Sequence, residues 1–194
     1  MYFLISIRSL LLNFSSSQTT AFSNNHSIVF SPGSFTLSRF TLDHTDKLLS
    51  WIKTPEDKVL WSGNSFLSGL SRYSFKEHLR RKDLSAFQLL NQKKDIQAYG
   101  EIVLKAMDQA TLCRIIVNPE NRRKGIGRFF CEKLILEIKE WKVIKEVSLN
   151  TLSCNYVALS CYESLGFSQQ GVRKKSRRIG SDWHDLIFMS LKLS

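Results

Sequence analysis

The chain has 194 residues, 43% of them hydrophobic and 23% charged, with a formal net charge of +11 and a pI near 9.7. That supplies apolar material for one good core, which excludes a disordered chain, and too little length for two comfortable domains. The positive balance admits nucleic acid, an anionic cofactor or an acidic substrate as partner.

Residues 1–33 are unlike the rest. Met1 to Phe14 is apolar, broken by Arg8 and Asn13, a Ser- and Thr-rich run follows, and no Asp or Glu precedes Asp43. The apolar run is shorter than the about 20 residues that cross a bilayer, so no membrane span is expected. Its serines and lack of acid fit a targeting segment, yet it has no charged leading region. It is read as a poorly ordered, dispensable extension, with an upstream start codon weighed above a working signal, ahead of one domain over 34–194.

Within that domain, Ser34 to Leu42 alternates as a first strand, and Asp43 is expected to cap a helix over His44 to Lys53 that Pro55 ends. The segment 57–70 carries Trp61, Gly63 and Phe66 without clear periodicity and reads as loop-rich. Its aromatics suit either a substrate wall or ordinary core packing. A short helix is expected over Phe75 to Lys82, then strands over Ala86 to Asn91 and Ile96 to Lys105 joined by the polar turn Gln92 to Asp95. Met107 to Gln109 turns the chain into a third strand of this antiparallel set.

That third strand leads into the chain's most informative stretch, Leu112 to Arg128. An apolar, β-branched run reaches Pro119, passes the basic residues Arg122, Arg123 and Lys124, and meets Gly125-Ile126-Gly127 at the start of an amphipathic helix. The first N–H groups of a helix lack internal partners and carry the positive end of its dipole, so an anion placed there collects several hydrogen bonds. Glycines let it approach the backbone. Neither the nucleotide-triphosphate loop G-x-x-x-x-G-K-[ST] nor the dinucleotide fingerprint G-x-G-x-x-G is present, and the pattern is Arg-x-x-Gly-x-Gly.

The helix Phe129 to Trp141 places Phe130, Leu134, Ile138 and Trp141 on one face. Lys145 to Leu152 then alternates as a strand, and a strand, helix, strand run this short makes a right-handed crossover with parallel, adjacent strands. Asn155 can cap a following helix that Gly166 ends, with Asn155 and Tyr162 on one side of it. Gln169 to Arg178 and Trp183 to Leu193 read as a terminal hairpin that carries a second basic cluster, Arg173 to Arg178. His184 and Asp185 are neighbours on a strand, point to opposite faces, and are not a catalytic dyad. Cys113, Cys131, Cys154 and Cys161 show no C-x-x-C spacing, so reduced thiols are expected and no metal site. The chemistry must then come from a bound cosubstrate.

Val-x-Pro-x-x-Arg-x-x-Gly-x-Gly followed by Asn-x-x-Ala-x-x-x-Tyr-Glu-x-Leu-Gly-Phe, within Leu112 to Phe167, resembles the GNAT superfamily of acyl-CoA-dependent N-acyltransferases. The resemblance implies an α/β layered fold with a mixed, mostly antiparallel sheet of six or seven strands, one splayed parallel pair and about four flanking helices. It implies a cytoplasmic transferase moving an acetyl group from acetyl-CoA to a primary amine of a protein or small molecule, by direct attack on the thioester. Ile115, Ile116 and Val117 would lend backbone groups to the pantetheine arm. The N–H groups of Arg122, Arg123, Lys124, Gly125, Ile126 and Gly127 would hold the pyrophosphate. Asn155 would contact the cofactor arm, and Tyr162 would protonate the departing thiolate as general acid. A backbone N–H near Val117 would stabilise the oxyanion.

One departure concerns the base. Ribosomal-protein alanine acetyltransferases, which share the Asn to Tyr spacing, use a glutamate on the second parallel strand, where this chain has Asn150. Other family members place a glutamate early in the strand before the loop, where this chain reads Ala110-Thr111-Leu112. Glu101 on the preceding strand, or ordered water, is the remaining candidate. Two other readings stand beside the enzyme. One is a CoA-binding module of the same fold that has lost catalysis. The other is an RNA-binding protein, against which the basic clusters' lack of interleaved aromatics counts. The acceptor amine and the oligomeric state are left open.

Overall fold

The computed structural model describes residues 35–194, and the extension expected over 1–33, with the strand start at Ser34, lies outside the described residues. The alternating segments become strands β1 (Phe35–Arg39), β2 (Leu84–Asn91), β3 (Ile96–Ala106), β4 (Gln109–Val117), β5 (Glu146–Leu152), β6 (Ser168–Ile179) and β7 (Asp182–Lys192). They form one seven-stranded sheet, in the order β1-β2-β3-β4-β5-β7-β6, antiparallel except between β4 and β5. The helices are α1 (Thr45–Leu49), α2 (Pro55–Ser62), α3 (Arg72–His78), α4 (Ile126–Glu140) and α5 (Tyr156–Ser164).

The departures from expectation cluster before β2. Asp43 sits inside a 3-10 turn, Leu42–His44, and does not cap α1, which has no side-chain cap. Pro55 opens a helix instead of ending one, because proline at a first helical position gives up an N–H that would have no partner. Thr54 and Asp57 fix that start reciprocally: the Asp57 N–H donates to Thr54 Oγ1 at 3.0 Å and the Thr54 N–H to Asp57 Oδ2 at 3.1 Å. Ser71 and Ser74 do the same for α3, which therefore begins and ends earlier than the expected Phe75 to Lys82.

Two neighbouring residues of β3 define the faces of the sheet. Gly100 faces α4, where a Cβ would lie 2.8 Å from Phe130 Cε1. Tyr99 points the other way and packs with Leu48, Trp61, Phe66, Phe75 and Ile116. So α4 covers one face, with Phe130, Leu134 and Ile138 fully buried as their spacing predicts, and α1 to α3 cover the other. The stacked rings of Trp61 and Phe66 are 8% and 5% exposed and belong to this second core. Packing, not a substrate wall, accounts for them.

The sheet splits at its parallel pair. β4 meets β5 only at Gln109↔Glu146, Ala110↔Val147 and Thr111↔Ser148, closed by a 2.7 Å hydrogen bond between the Thr111 and Ser148 hydroxyls. Beyond it β5 stays paired with β7 as far as Leu152↔Leu186, while β4 stays paired with β3 as far as Val117↔Ala98. Leu112 to Val117 and Leu149 to Leu152 are thus unpaired with each other and leave a slot between the two strands.

Candidate active site

At the end of β4 the chain builds an anion cradle. Asn118 Oδ1 accepts the Glu120 N–H at 3.2 Å, Asn121 donates to Gln97 Oε1 at 2.7 Å, and Lys124 donates to Asn121 Oδ1 at 2.7 Å. The loop is thereby braced by its own side chains. Arg122 Nε donates to the Val117 carbonyl at 3.2 Å, so Arg122 and Lys124 are turned back on the loop itself, while Arg123 is exposed. Gly125 takes φ 80° ahead of α4, and the first helical bond runs from the Phe129 N–H to the Gly125 carbonyl at 3.0 Å. The N–H groups of Arg123 to Arg128 have no acceptor among the described residues. Gly127 packs against β4, where a Cβ would touch Val117 Cγ2 at 3.4 Å. Free amides, a bare backbone and a helix start are what a pyrophosphate needs.

Midway along β4 the ladder to β3 slips. Tyr99 pairs with Ile116 but Glu101 with Cys113, so β4 carries one extra residue there, and Arg114 adopts φ 50°. This bulge aims the Arg114 side chain at Glu101. The Glu101 carboxylate, fully buried, accepts Arg114 Nε at 2.6 Å, the Tyr99 hydroxyl at 2.6 Å and His78 Nε2 at 3.1 Å to each oxygen, and Arg114 Nη2 lies beside it. Burial alone would push this carboxyl up, and the hydrogen bonds from His78 and Arg114, with the Arg114 charge, outweigh it and hold the carboxyl below its ordinary value. Burial and the adjacent carboxylate push the Tyr99 phenol well up, so it stays a donor. Arg114 also donates to Ser65 Oγ at 2.9 Å, and its carbonyl accepts Trp61 Nε1 at 2.7 Å. The bulge is thus tied to the α2–α3 segment.

Tyr162, on α5, lies on the α4 side of the sheet with its ring edge-on to Phe167 at 6.0 Å. Burial first, then the neighbouring Cys131, Cys161 and Cys113 thiols, push its phenol well above the ordinary value. It is therefore protonated at neutral pH, as a proton donor must be. Asn155 caps α5, its Oδ1 accepting the Ala158 N–H at 3.4 Å, which leaves its amide N–H groups for another partner. Asn150 is exposed on β5 opposite Phe188.

Against known proteins, residues 47–167 match the family described as the acetyltransferase (GNAT) family. The chain belongs to the GNAT family. Among curated relatives it is 34% identical over 100 residues to a ribosomal protein bS18-alanine N-acetyltransferase of Salmonella typhimurium, covering 52% of this chain and 67% of that one. The same enzyme of Escherichia coli K12 is 35% identical over 109 residues, covering 56% and 71%. The solved ribosomal-protein-S18-alanine N-acetyltransferase of E. coli superposes with a TM-score of 0.63 at 26% identity, covering 82% of this chain and 94% of that one. Spermidine N-acetyltransferase of Vibrio cholerae, in complex with CoA and spermine, shares the fold with a TM-score of 0.70 at 16% identity, covering 83% and 96%. This GNAT chain is accordingly an N-acetyltransferase, moving an acetyl group to an amine.

In this acetyltransferase the terminal hairpin closes over α2. A Cβ at Gly63 would lie 3.7 Å from Arg177 Nε, and Asp185 secures a wide bulge in β6 by accepting Lys174 Nζ and the Lys175 N–H, each at 2.9 Å. Asp185 is thus occupied by β6 and its own strand, consistent with treating His184 and Asp185 as separate. The four cysteines are free. No helix among the described residues is long and apolar enough to cross a membrane. His78 and Arg114 were not singled out from sequence. A glutamate inside the apolar run Ile96 to Val103 signals a buried charge in need of partners, and Arg114 inside its own apolar run is one. Nothing in the sequence pairs either with His78, which comes from a helix before β2.

Proposed function

We propose that the protein transfers the acetyl group of acetyl-CoA to the α-amino group of an N-terminal alanine, on a ribosomal protein or one like it, in the cytoplasm. The observation that carries the donor half is the row of amides from Arg123 to Arg128 that find no acceptor among the described residues, at the end of a strand that has parted from its neighbour. Arg122, Arg123, Lys124, Gly125, Ile126 and Gly127 would bound the pyrophosphate, Ile115 to Val117 and Asn155 the pantetheine arm. The acceptor half is supported by the likeness to the two alanine acetyltransferases.

Bound acetyl-CoA supplies an acyl carbon with a thiolate leaving group. The chain's part is to hold the two substrates in line, which converts a bimolecular attack into a unimolecular one. A backbone N–H near Val117 would meet the developing oxyanion. Tyr162, kept protonated by burial, would give its proton to sulfur. Glu101 has its lone pairs taken by Tyr99, His78 and Arg114, so it serves the site as an anchor for those three rather than as the group that meets the amine.

The test pairs a thermal-shift titration with an acetylation assay. Acetyl-CoA at about 100 times its Kd should stabilise the wild type by about 2.7 kcal/mol. Gly127→Glu, which sets a carboxylate among the amides, should fold and lose that response. A peptide with N-terminal alanine should be acetylated and its Nα-blocked counterpart should not. A stabilised enzyme that leaves the alanine peptide untouched, yet acetylates spermidine, would overturn the acceptor assignment.

A further inference from the structure

The chemistry above lacks a base. The α-ammonium of an N-terminal alanine, with a pKa of about 8, must lose a proton before it can attack, and the carboxylate positions implied by the family resemblance fall on Asn150 and on Ala110-Thr111-Leu112. The groups around the slot can be taken in turn. Glu101 is saturated. Tyr99 donates to it, Arg114 is a cation, and burial pushes the Cys113 thiol up so that it stays protonated. Asp185 is held by Lys174 and Lys175 on β6.

His78 is different. Its Nε2 faces a carboxylate, so the ring proton sits on Nε2 and donates to Glu101. In the neutral ring Nδ1 then carries the lone pair. It has no hydrogen-bond partner among the described residues, nor is it among the buried polar atoms sealed without one. The ring is fixed on both sides: Phe66 lies edge-on at 5.2 Å and Phe75 stacks at 6.5 Å, with the side chain 9% exposed. A base oriented by a buried carboxylate and walled by aromatics is the arrangement of base and orienting group that nucleophile activation uses.

Its position fits the need. Glu101 is paired with Cys113, next to the Arg114 bulge and two residues past the last β4–β5 pair at Thr111↔Ser148. His78 and Glu101 lie on the face covered by α1 to α3, and Tyr162 lies on the face covered by α4. The slot between β4 and β5 interrupts the sheet between those faces.

We propose that His78, through Nδ1, is the general base of the acetyl transfer, with Glu101 as its positioning residue and Arg114 and Tyr99 holding Glu101. The acceptor ammonium gives one proton to Nδ1, and its freed lone pair forms the C–N bond to the thioester carbonyl. The C–S bond breaks as the carbonyl reforms. Sulfur takes the Tyr162 proton, the second amine proton restores the phenol, and the imidazolium releases its proton to solvent. The charged groups near the ring are Glu101 from β3, Arg114 from β4 and Arg81 just after α3, which interacts with both of them. Phe66, from the α2–α3 segment, brings no charge.

This rests on the acetyltransferase reading, and two measurements keep the failures apart. The first is the pH profile of kcat/KM with an N-terminal alanine peptide. His78→Gln, whose amide can still donate to Glu101, should lower kcat/KM by about 10²-fold. It should also reduce the acid limb of the profile to the ionisation of the peptide's own α-amine, and leave acetyl-CoA affinity unchanged. A folded His78→Gln whose acid limb is unaltered from the wild type's overturns the assignment. The second is the 15N spectrum of the His78 ring in the full-length wild type, which needs no acceptor. A proton on Nε2 with the lone pair on Nδ1 at neutral pH supports the role, and a proton on Nδ1 overturns it. Where the wild type ignores the peptide, the acceptor assignment fails and the ring spectrum alone decides for His78.

Discussion

Tyr162 and Glu101 are both enclosed, yet enclosure drives them in opposite directions. No ion pair or hydrogen-bond donor offsets the burial of the Tyr162 phenol, so it holds its proton. Glu101 is more deeply buried and still ionised, because an arginine, a histidine and a tyrosine all donate to it. The acid and the anion of the site are therefore set by partners rather than by depth. For Tyr162 the consequence is measurable. Tyr162→Phe keeps the ring against Phe167 and removes only the hydroxyl, so kcat should fall by about 10²-fold or more while the acetyl-CoA Kd stays put. Steady-state kinetics with a parallel binding titration separate the two, and unchanged turnover would remove Tyr162 from the chemistry.

At the scale of elements, Arg114 is the joint between the sheet and the α2–α3 segment. Its guanidinium reaches Glu101 on β3 and Ser65 beyond α2, and its carbonyl takes the Trp61 indole N–H. Arg114→Met keeps much of the side chain's bulk and strands a buried carboxylate, which should cost about 3–5 kcal/mol at neutral pH. The pH dependence has a definite sign. Glu101 is held below its ordinary carboxylate pKa in the folded wild type, so its contribution is fully present above that ordinary pKa and is lost as pH falls through the lower folded one. In Arg114→Met the carboxyl loses that support and can protonate at higher pH. The stability gap between the proteins should narrow on acidification, read by urea unfolding at pH 7 and pH 4, and a gap that is constant with pH would mean Arg114 acts through packing alone.

The same joint marks how far the sequence could be read. The strands, the crossover helix and the glycine turn follow from local periodicity and turn chemistry, which neighbours in sequence determine. Pro55 reads in the sequence as a stop, yet a proline also serves as a first helical residue, and the Thr54 and Asp57 reciprocal cap distinguishes the two cases. The cluster on Glu101 was out of reach for a different reason. Its donors lie at sequence separations of 2, 13 and 23 residues, and only the β4 bulge at Arg114 and the docking of α3 bring them to one carboxylate.

Across the whole molecule, the net charge of +11 and the anion cradle make distinguishable contributions to binding. Two of the three loop cations do not point outward as a ready-made clamp: Arg122 is bonded to the Val117 carbonyl, and Lys124 to Asn121 and the Glu120 carbonyl, while Arg123 is exposed. In the proposed site, close-range holding of a pyrophosphate would fall chiefly to backbone amides, whose dipoles salt screens little at contact. The diffuse positive field acts earlier, on the approach of an anion, and it is screened once the Debye length contracts from about 30 Å at 0.01 M to about 8 Å at 0.15 M salt. Raising the salt over that range should slow acetyl-CoA association several-fold and leave its dissociation rate nearly unchanged, as followed by stopped-flow mixing and chase. A dissociation rate that climbs steeply with salt would mean that a loop cation pairs directly with phosphate.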